Sequence, residues 1–309
     1  MIIDEEIRRR MLEPPRGRVR MVLDTDTYNE IDDQFAVVQA LLSPDRLDLR
    51  AIYACPFHNA RSNSPGHGME LSYEEILRVL ERMNRPASGL AFRGVTDYVG
   101  PSKQPRAGEA VDHLIALARA CRADDPLYVV AIGAISNVAS ALLSAPEIAG
   151  RIVVVWLGGN AAHWPVAFDQ RASFNLRQDV GGGQVLLDSG TPLVYVPASG
   201  VASHLRSSVP EIERYVEPHG EIGAFLARRF KEYSDDHKGW SKEIWDMAAV
   251  GWLLDPDWAP SILMSTPRIG DDMSWHHDEA RSAMRYVGFV DRDAILRDFI
   301  DKLETHAAG

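Results

Sequence analysis

The sequence predicts an α/β fold, with a mostly parallel central sheet flanked by helices and a largely helical C-terminal third. Short apolar runs typical of strands alternate with segments of helical periodicity along most of the chain. The apolar runs are also continuous rather than alternating, and the run at residues 152–157 (IVVVWL) is the most apolar. Strands have this composition when helices cover both faces of a parallel sheet.

Each element follows from one of these two patterns. Mainly apolar runs predict strands at residues 20–23, 47–54, 90–93, 127–132, 152–157, 192–196, 262–264 and 284–290. Helical periodicity predicts helices at residues 31–42, 72–83, 108–122, 136–143, 179–189, 221–233, 244–254 and 291–303. The helix at 72–83 is placed by the pattern Ser72-x-x-Glu75, which is the signature of a capping box at a helix start.

Length and composition indicate an ordinary globular protein. The chain has 309 residues, of which 46% are hydrophobic and 25% charged, so it can bury a sizeable core. No linker, repeat or low-complexity segment divides it. We therefore expect a single domain over residues 18–309, preceded by a peripheral N-terminal extension at residues 1–17.

Charge and cysteine content exclude several classes of function. The net charge of −11 argues against a nucleic-acid partner, because such proteins usually carry a basic face. No apolar run is long enough to span a membrane, and the first residues lack the apolar core of a signal peptide. Two cysteines cannot form a disulfide framework or a cysteine zinc site. These features predict a cytoplasmic protein without a membrane partner.

Five carboxylates lie within ten residues at the end of the first predicted strand, in the segment 24–33 (DTDTYNEIDD). Their mutual repulsion costs stability, and a bound cation would remove that cost. An all-oxygen ligand set favours a hard ion, Ca²⁺ or Mg²⁺, over zinc or copper. The structural alternative is that Asp32 and Asp33 only stabilise the start of the next helix through its N-terminal dipole.

The strand followed by Asp24-Thr25-Asp26-Thr27 resembles the haloacid-dehalogenase-like phosphatases. In that family the first Asp is a nucleophile and the second is an acid/base, so the chain would be a Mg²⁺-dependent phosphatase using Asp24 and Asp26. The family also needs a suitably placed lysine, and none of the five lysines is placed convincingly. This interpretation leaves Asp32 and Asp33 without a function.

The same segment shows a stronger resemblance to the inosine-uridine-preferring nucleoside hydrolases. Their commoner signature is Asp-x-Asp-x-x-x-Asp-Asp, and here two additional residues intervene within residues 27–31. Segments resembling the family follow in the right order at residues 129–137 (VVAIGAISN), 156–160 (WLGGN), 174–175 (FN) and 244–246 (IWD). The resemblance covers roughly residues 20–303 and implies the Rossmann-like fold of that family.

This resemblance implies Ca²⁺-dependent hydrolysis of the N-glycosidic bond of a ribonucleoside, through an oxocarbenium-like transition state, to ribose and free base. The Ca²⁺ ligands that it implies are Asp26, Asp33, the backbone carbonyl of Ile132, and Asp246. Asp26 is also the candidate general base. The residues expected to contact the nucleoside are Asp32, Asn59, Asn160, Asn175 and Trp245.

Two departures from the family pattern bear on the substrate. Ser173 stands where many members have a Glu that contacts the 5′-hydroxyl, a role that Asn160 or Gln178 could take. The roles of Asn29 and Glu30, in the two-residue expansion, stay unassigned.

Trp245 stands where pyrimidine-accepting members often have a His, so it resembles the purine-preferring branch. An indole can stack on a purine and favour its protonation. Trp164 and Trp240 are further stacking candidates. A small-molecule nucleoside is thus the expected partner, and the family resemblance implies a homodimer or homotetramer. A nucleoside- or ribose-binding protein without turnover is the alternative of a different class.

Overall fold

The computed structural model describes residues 3–161 and 173–309. In these residues the helices are α1 (Glu5–Met11), α2 (Asp33–Leu41), α3 (Pro65–Arg82), α4 (Glu109–Arg119), α5 (Ser136–Ser144), α6 (Phe174–Gln178), α7 (Val180–Asp188), α8 (Val209–Tyr215), α9 (Gly220–Lys231), α10 (Met247–Leu254) and α11 (Arg292–Ala308). The strands are β1 (Val19–Thr25), β2 (Leu47–Ala54), β3 (Ala91–Arg93), β4 (Leu127–Ala131), β5 (Ile152–Gly159), β6 (Leu193–Pro197), β7 (Arg206–Ser207), β8 (Lys242–Glu243), β9 (Ser261–Ser265), β10 (Arg268–Ile269), β11 (Trp275–His276) and β12 (Ala283–Val287).

Eight of the strands form one sheet in the order β3-β2-β1-β4-β5-β6-β12-β9. Neighbouring strands pair in parallel, except that the edge strand β9 runs antiparallel to β12. These are the eight strands predicted from the apolar runs, with ends that differ by a few residues. The predicted α/β class and mostly parallel sheet are confirmed. The strand order reverses between β1 and β4, and doubly wound sheets bind ligands at such a switch point.

Helices on both faces explain why the strand sequences are continuously apolar. Alternate residues of the fully buried strand β5 divide between two apolar clusters. Val153 and Val155 join the cluster that includes residues of α2, α3, α9 and α10. Val154 and Trp156 join the cluster that includes residues of α4, α5 and α7. The sheet is therefore the middle layer of three.

The start predicted for the helix at 72–83 is wrong. Helix α3 begins about two turns earlier at Pro65, and the Ser64 hydroxyl caps it by accepting the His67 N–H at 3.1 Å. Ser before Pro is itself a start signal, because proline suits the first position of a helix. Ser72 and Glu75 are buried inside α3, where the Glu75 carboxylate accepts a hydrogen bond from another helix rather than capping its own.

The N-terminal segment contacts the sheet layer. Leu12 is fully buried, and its carbonyl accepts a hydrogen bond of 2.5 Å from the Arg285 guanidinium on β12. The Arg8 guanidinium donates to the Gly190 carbonyl, also at 2.5 Å. The domain limits at residues 17 and 18 stay a prediction.

Cys55 and Cys121 are both buried and are not bridged to each other. Among the helices that the structure describes, none combines the length and the apolar character needed to cross a bilayer.

Candidate active site

A pocket of about 230 Å³ lies beyond the carboxyl ends of β1, β4, β5 and β6. This is the switch point of the strand order, so the loops that follow these strands and the first turns of helices meet there. The pocket wall contains eight of the nine predicted site residues, namely Asp26, Asp32, Asp33, Ile132, Asn160, Asn175, Trp245 and Asp246. Residues far apart in sequence are thus brought together.

An acidic cluster forms the floor of this pocket. One carboxylate oxygen from each of Asp32, Asp33 and Asp246 lies within 4.8 Å of the others, and all three residues are buried. Asp32 and Asp33 stand at the start of α2, and Asp246 stands at the start of α10. Asp26, also buried, lines the same pocket. Three oxygens at this spacing could hold a metal ion.

The chain holds Asp26 and Asp33 in place by short-range contacts. The backbone N–H of Asp26 donates to Asp33 Oδ1 at 3.1 Å, and the Thr25 hydroxyl donates to the same oxygen. After β4, Gly133 packs closely on this loop, since a Cβ there would lie 3.1 Å from Asp26 Cγ. A side chain at residue 133 would therefore require Asp26 or its loop to shift by a few tenths of an ångström.

Burial and crowding make the ionised forms of these carboxyls costly. Burial, followed by repulsion from Asp33, raises the pKa of Asp26 well above its usual value. Burial and repulsion from Asp32 do the same to the pKa of Asp33 and of Asp246. Burial and Glu30 raise the pKa of Asp32 to about 6, although Lys242 opposes this shift.

The donor set fits a hard cation. Within residues 3–161 and 173–309, the buried Oδ2 atom of Asp26 has no hydrogen-bond partner. A buried carboxylate oxygen without a partner is costly, and coordination to a cation would satisfy it. The predicted ligands Asp26, Asp33, Asp246 and the carbonyl of Ile132 offer oxygen atoms only, which is the ligand type of Ca²⁺ and Mg²⁺. Of these, Asp33 and Asp246 belong to the close group described above, whose third member is Asp32.

Asp24 lies outside this group. It is fully buried and is not among the residues of the pocket wall. Its Oδ1 accepts from the Asn137 side chain at 2.7 Å, and its carbonyl accepts from the Ile132 N–H at 2.8 Å. Burial raises the pKa of Asp24 to about 7, and the hydrogen bond from Asn137 limits this shift. A substrate in the pocket could not reach Asp24 as the nucleophile that a phosphatase would need.

Asn175 braces two strand ends. Its side-chain Nδ2 donates to the carbonyl of Ile132 at 2.8 Å and to the carbonyl of Leu157 at 2.9 Å. Because both donated bonds go to backbone, Oδ1 is the atom of this side chain that can accept a hydrogen bond from a ligand. Asn175 therefore fixes the position of the Ile132 carbonyl while it lines the pocket.

Asn59 does not line the pocket but lies next to a residue that does. Its Nδ2 donates to Asn29 Oδ1 at 2.7 Å, and its Oδ1 accepts from the Arg61 N–H at 2.8 Å. Asn29, from the two-residue expansion, forms part of the wall. The sequence predicts a site residue at Asn59 because it is the polar residue that follows β2. In the structure, Asn29 of the expanded loop lines the pocket, and Asn59 bonds to Asn29.

The expansion also brings Glu30 into the wall, where it pairs with a lysine that sequence reasoning did not single out. Lys242 Nζ lies 2.5 Å from Glu30 Oε2, and only 8% of the Lys242 side chain is exposed. Although burial lowers it, the carboxylates of Asp32 and Glu30 raise the pKa of Lys242 above its usual value. The sequence does contain a signal for this pair. A loop with five acids needs a nearby cation, and the chain has only five lysines.

Of the candidates for stacking on the base and for contacting the 5′-hydroxyl, some line the pocket and others do not. Trp245 lines the pocket, whereas Trp240 packs on Phe230 with ring centres 5.2 Å apart and is not part of the wall. Trp164 lies outside the described residues. Gln178 Oε1 accepts from the His58 N–H at 2.7 Å and also from a tyrosine hydroxyl.

Ser173 and Asn160 both line the pocket, and so do Arg177 and Ser199, which sequence reasoning did not place there. The side chain of Asn160 also accepts a hydrogen bond of 3.3 Å from the Ser199 N–H.

Comparisons with known proteins agree with this geometry. The model of the inosine-uridine preferring nucleoside hydrolase family matches residues 21–296. A pyrimidine-specific ribonucleoside hydrolase, RihA of Salmonella paratyphi A, is 27% identical over 267 residues, which cover 77% of this chain and 80% of that protein.

Two solved structures share the fold. A purine-preferring ribonucleoside hydrolase from Gardnerella vaginalis has a TM-score of 0.73 at 20% identity, covering 93% of this chain and 99% of that one. An inosine-guanosine nucleoside hydrolase has a TM-score of 0.70 at 19% identity with the same coverage. At these identities the likeness establishes a common architecture.

Proposed function

The chain belongs to the inosine-uridine preferring nucleoside hydrolases and is a hydrolase of N-glycosyl bonds, and from this premise we propose that it cleaves ribonucleosides, with a lean toward purines, in a Ca²⁺-dependent reaction. The products are ribose and the free base. The observation that carries the proposal is the buried cluster of Asp32, Asp33 and Asp246 at the floor of a pocket, with the unpartnered Oδ2 of Asp26 nearby among the described residues.

Asp26, Asp33, Asp246 and the Ile132 carbonyl would hold the cation. When bound, Ca²⁺ supplies positive charge that lowers the pKa of a coordinated water and fixes the ribose diol. Ca²⁺ suits the site better than Mg²⁺, because waters and ribose hydroxyls would complete a shell of six to eight oxygens around an adaptable ion. The presence of a group of acids that could bind a metal, Asp32, Asp33 and Asp246, does not depend on which ion it is.

The chain's own residues provide the remaining chemistry. Asp32 and Asn175 Oδ1 accept hydrogen bonds from ribose hydroxyls and orient the sugar, and Asn160 contacts its 5′ side. Asp26 lines the pocket beside the cation that it would help to hold, and its carboxylate takes a proton from the attacking water. The surrounding carboxylates also stabilise the positive charge that develops on the ribose ring as the N-glycosidic bond breaks.

Trp245 supports the purine lean. Its indole can stack on a purine, and a base that gains a proton as it leaves is attracted to the ring face. The pyrimidine-specific relative named above is 27% identical to this chain, and its name describes its own substrate. The base preference is therefore a point to measure.

Ribose release from a panel of purine, pyrimidine and modified nucleosides tests this function. We expect release that falls at least about a hundred-fold after chelation and returns with Ca²⁺, because charge stabilisation by a cation contributes several kcal/mol. Equal activity in chelated and Ca²⁺-restored protein would contradict the metal dependence. Tight nucleoside binding by calorimetry without ribose release would instead support the non-catalytic alternative.

Replacing Trp245 with Ala is expected to lower kcat/KM for the best purine nucleoside by roughly ten- to hundred-fold. Stacking of a base on an aromatic ring contributes about 1–3 kcal/mol, and Trp245→Phe should retain most of the rate as the matched control. The measurement is steady-state kinetics with one purine and one pyrimidine nucleoside. An equal loss for both substrates, or none, would speak against Trp245 as the purine platform.

A homodimer or homotetramer and a cytoplasmic location complete the proposal. Both come from the family resemblance and from composition. Light scattering coupled to gel filtration measures the assembly, and a monomer at micromolar concentration would contradict it.

A further inference from the structure

Glu30 and Lys242 form an ion pair at the pocket that the hydrolysis itself does not use. Glu30 is part of the pocket wall, with 31% of its side chain exposed, and Lys242 Nζ lies 2.5 Å from Glu30 Oε2. Glu30 is not among the carboxylates grouped closely enough to share a metal ion in the described residues. Its charge adds to the repulsion on Asp26, Asp32 and Asp33. Because Glu30 adds repulsion to the pocket without joining the group that could bind a metal, we expect it to have a separate function.

Lys242 links this carboxylate to the aromatic side of the pocket. Its Nζ lies 5.8 Å from the centre of the Trp245 ring and 4.9 Å from the centre of the Tyr233 ring. The lysine is therefore held by the carboxylates of Glu30 and, at 3.8 Å, Glu243, and by two ring faces, and these contacts restrict the Glu30 side chain. Glu30 and Trp245 both line the pocket, and the same lysine contacts the carboxylate of one and the ring of the other.

This placement has a chemical consequence for the base. A base stacked on Trp245 would occupy the same pocket as the Glu30 carboxylate. An ionised carboxylate has only acceptors, so it favours an N–H donor on the base and disfavours a carbonyl or ring nitrogen. An exocyclic amino group supplies such a donor, and it is what distinguishes several pairs of natural and analogue nucleosides.

We propose that Glu30, held by Lys242, is a specificity-determining residue that accepts a hydrogen bond from an exocyclic amino group of the base. The inference rests on the proposed function, because it assumes that a nucleoside occupies this pocket. It assigns a role to the two-residue expansion of the aspartate motif, from which Glu30 comes.

Two substrate pairs that each differ by one amino group test this inference: adenosine against purine riboside, and guanosine against inosine. The measured quantity is, for each pair, the kcat/KM of the nucleoside with the amino group divided by the kcat/KM of the nucleoside without it. Comparing this ratio between the wild-type enzyme and Glu30→Gln cancels the differences in leaving-group chemistry. We expect the preference for the amino-bearing member to fall about ten-fold in at least one pair, since hydrogen bonds to charged groups are the stronger class. Glu147→Gln, which removes a surface acid paired with Arg119 at 2.6 Å, is the control and should leave both ratios unchanged.

Lys242→Met is the second variant, because it removes the cation but keeps an apolar stem beside the rings. It should weaken the same preference by releasing Glu30. Unchanged ratios in both variants, or an equal loss for all four substrates, would overturn the proposal. A loss of kcat/KM in Glu30→Gln that is seen with adenosine but not with 5′-deoxyadenosine would also overturn the proposal, since Glu30 would then contact the 5′-hydroxyl of the sugar.

The failure of this inference can be told apart from failure of the proposed function. If the wild-type protein releases no ribose from any nucleoside, the hydrolysis is contradicted. Calorimetric binding of the same two pairs, adenosine with purine riboside and guanosine with inosine, in the presence of Ca²⁺, then measures the Glu30 preference without turnover. A difference within either pair that disappears in Glu30→Gln supports the inference, and equal affinities within both pairs in the wild-type protein contradict it.

Discussion

Replacing Asp26 with Asn is expected to lower kcat/KM for the preferred nucleoside by about three orders of magnitude, the range typical for loss of a general base. The substitution removes the carboxylate that accepts the proton and one oxygen ligand of the cation. It preserves the size of the side chain and the backbone hydrogen bond of 3.1 Å to Asp33. Steady-state kinetics at saturating Ca²⁺, with circular dichroism to confirm folding, measure the effect.

Asp125→Asn is the matched control for this variant. Asp125 is exposed and pairs with Arg20 on the surface, so the change removes the same charge far from the pocket. Its kcat/KM should equal that of the wild-type enzyme. An Asp26→Asn protein with more than about a tenth of the wild-type rate would show that another group takes the proton.

The fold could be predicted in large part because a covered parallel sheet leaves a strong trace in sequence. Each of the eight strands is an apolar run, and β4 and β5 are buried along their whole length. Helix starts were predicted less well. The pattern Ser72-x-x-Glu75 has the spacing of a capping box, yet Glu75 accepts from Gln34 Nε2 at 3.0 Å on another helix. Local spacing cannot distinguish these two uses of the same carboxylate.

The candidate site could be predicted where its residues follow a strand or begin a helix. Asp26, Ile132 and Asp246 occupy such positions, and the topology of the sheet brings them together. Residues that enter through the conformation of a long loop could not be placed. Asn29 and Glu30 of the expanded loop line the pocket, where Asn29 accepts a hydrogen bond from Asn59 and Glu30 pairs with Lys242, more than two hundred residues away in sequence.

The acidic charge of the chain has two structural origins. On the surface, acids such as Glu147 and Asp124 pair with arginines at 2.6 Å and remain hydrated. In the pocket, four buried aspartates repel one another, and the charge of Lys242 offsets part of this repulsion at Asp32. The metal-free protein therefore stores unfavourable electrostatic energy at the site that is proposed to bind Ca²⁺.

Replacing Asp246 with Asn should consequently have opposite effects on stability and on function. In the presence of a chelator, the variant is expected to melt a few degrees above the wild-type protein, because it lacks a carboxyl whose own ionisation is opposed by burial and by the charges of Asp32 and Asp33. Wild-type protein with Ca²⁺ at a hundred times its Kd should gain about 2.7 kcal/mol. The variant should gain little, since a ligand is lost, and its kcat/KM should fall with its Ca²⁺ affinity.

Thermal melts of both proteins with and without Ca²⁺, together with calorimetric titration, separate the two effects. Asp255→Asn serves as the control at the other end of α10, where the carboxylate only caps a turn by accepting the Asp257 N–H at 3.0 Å. A variant that melts lower than the wild type in chelator would mean that Asp246 stabilises the fold by itself, for example through its hydrogen bond with Asp32. A full Ca²⁺ response in Asp246→Asn would remove this residue from the ligand set and leave Asp26, Asp33 and the Ile132 carbonyl to hold the ion.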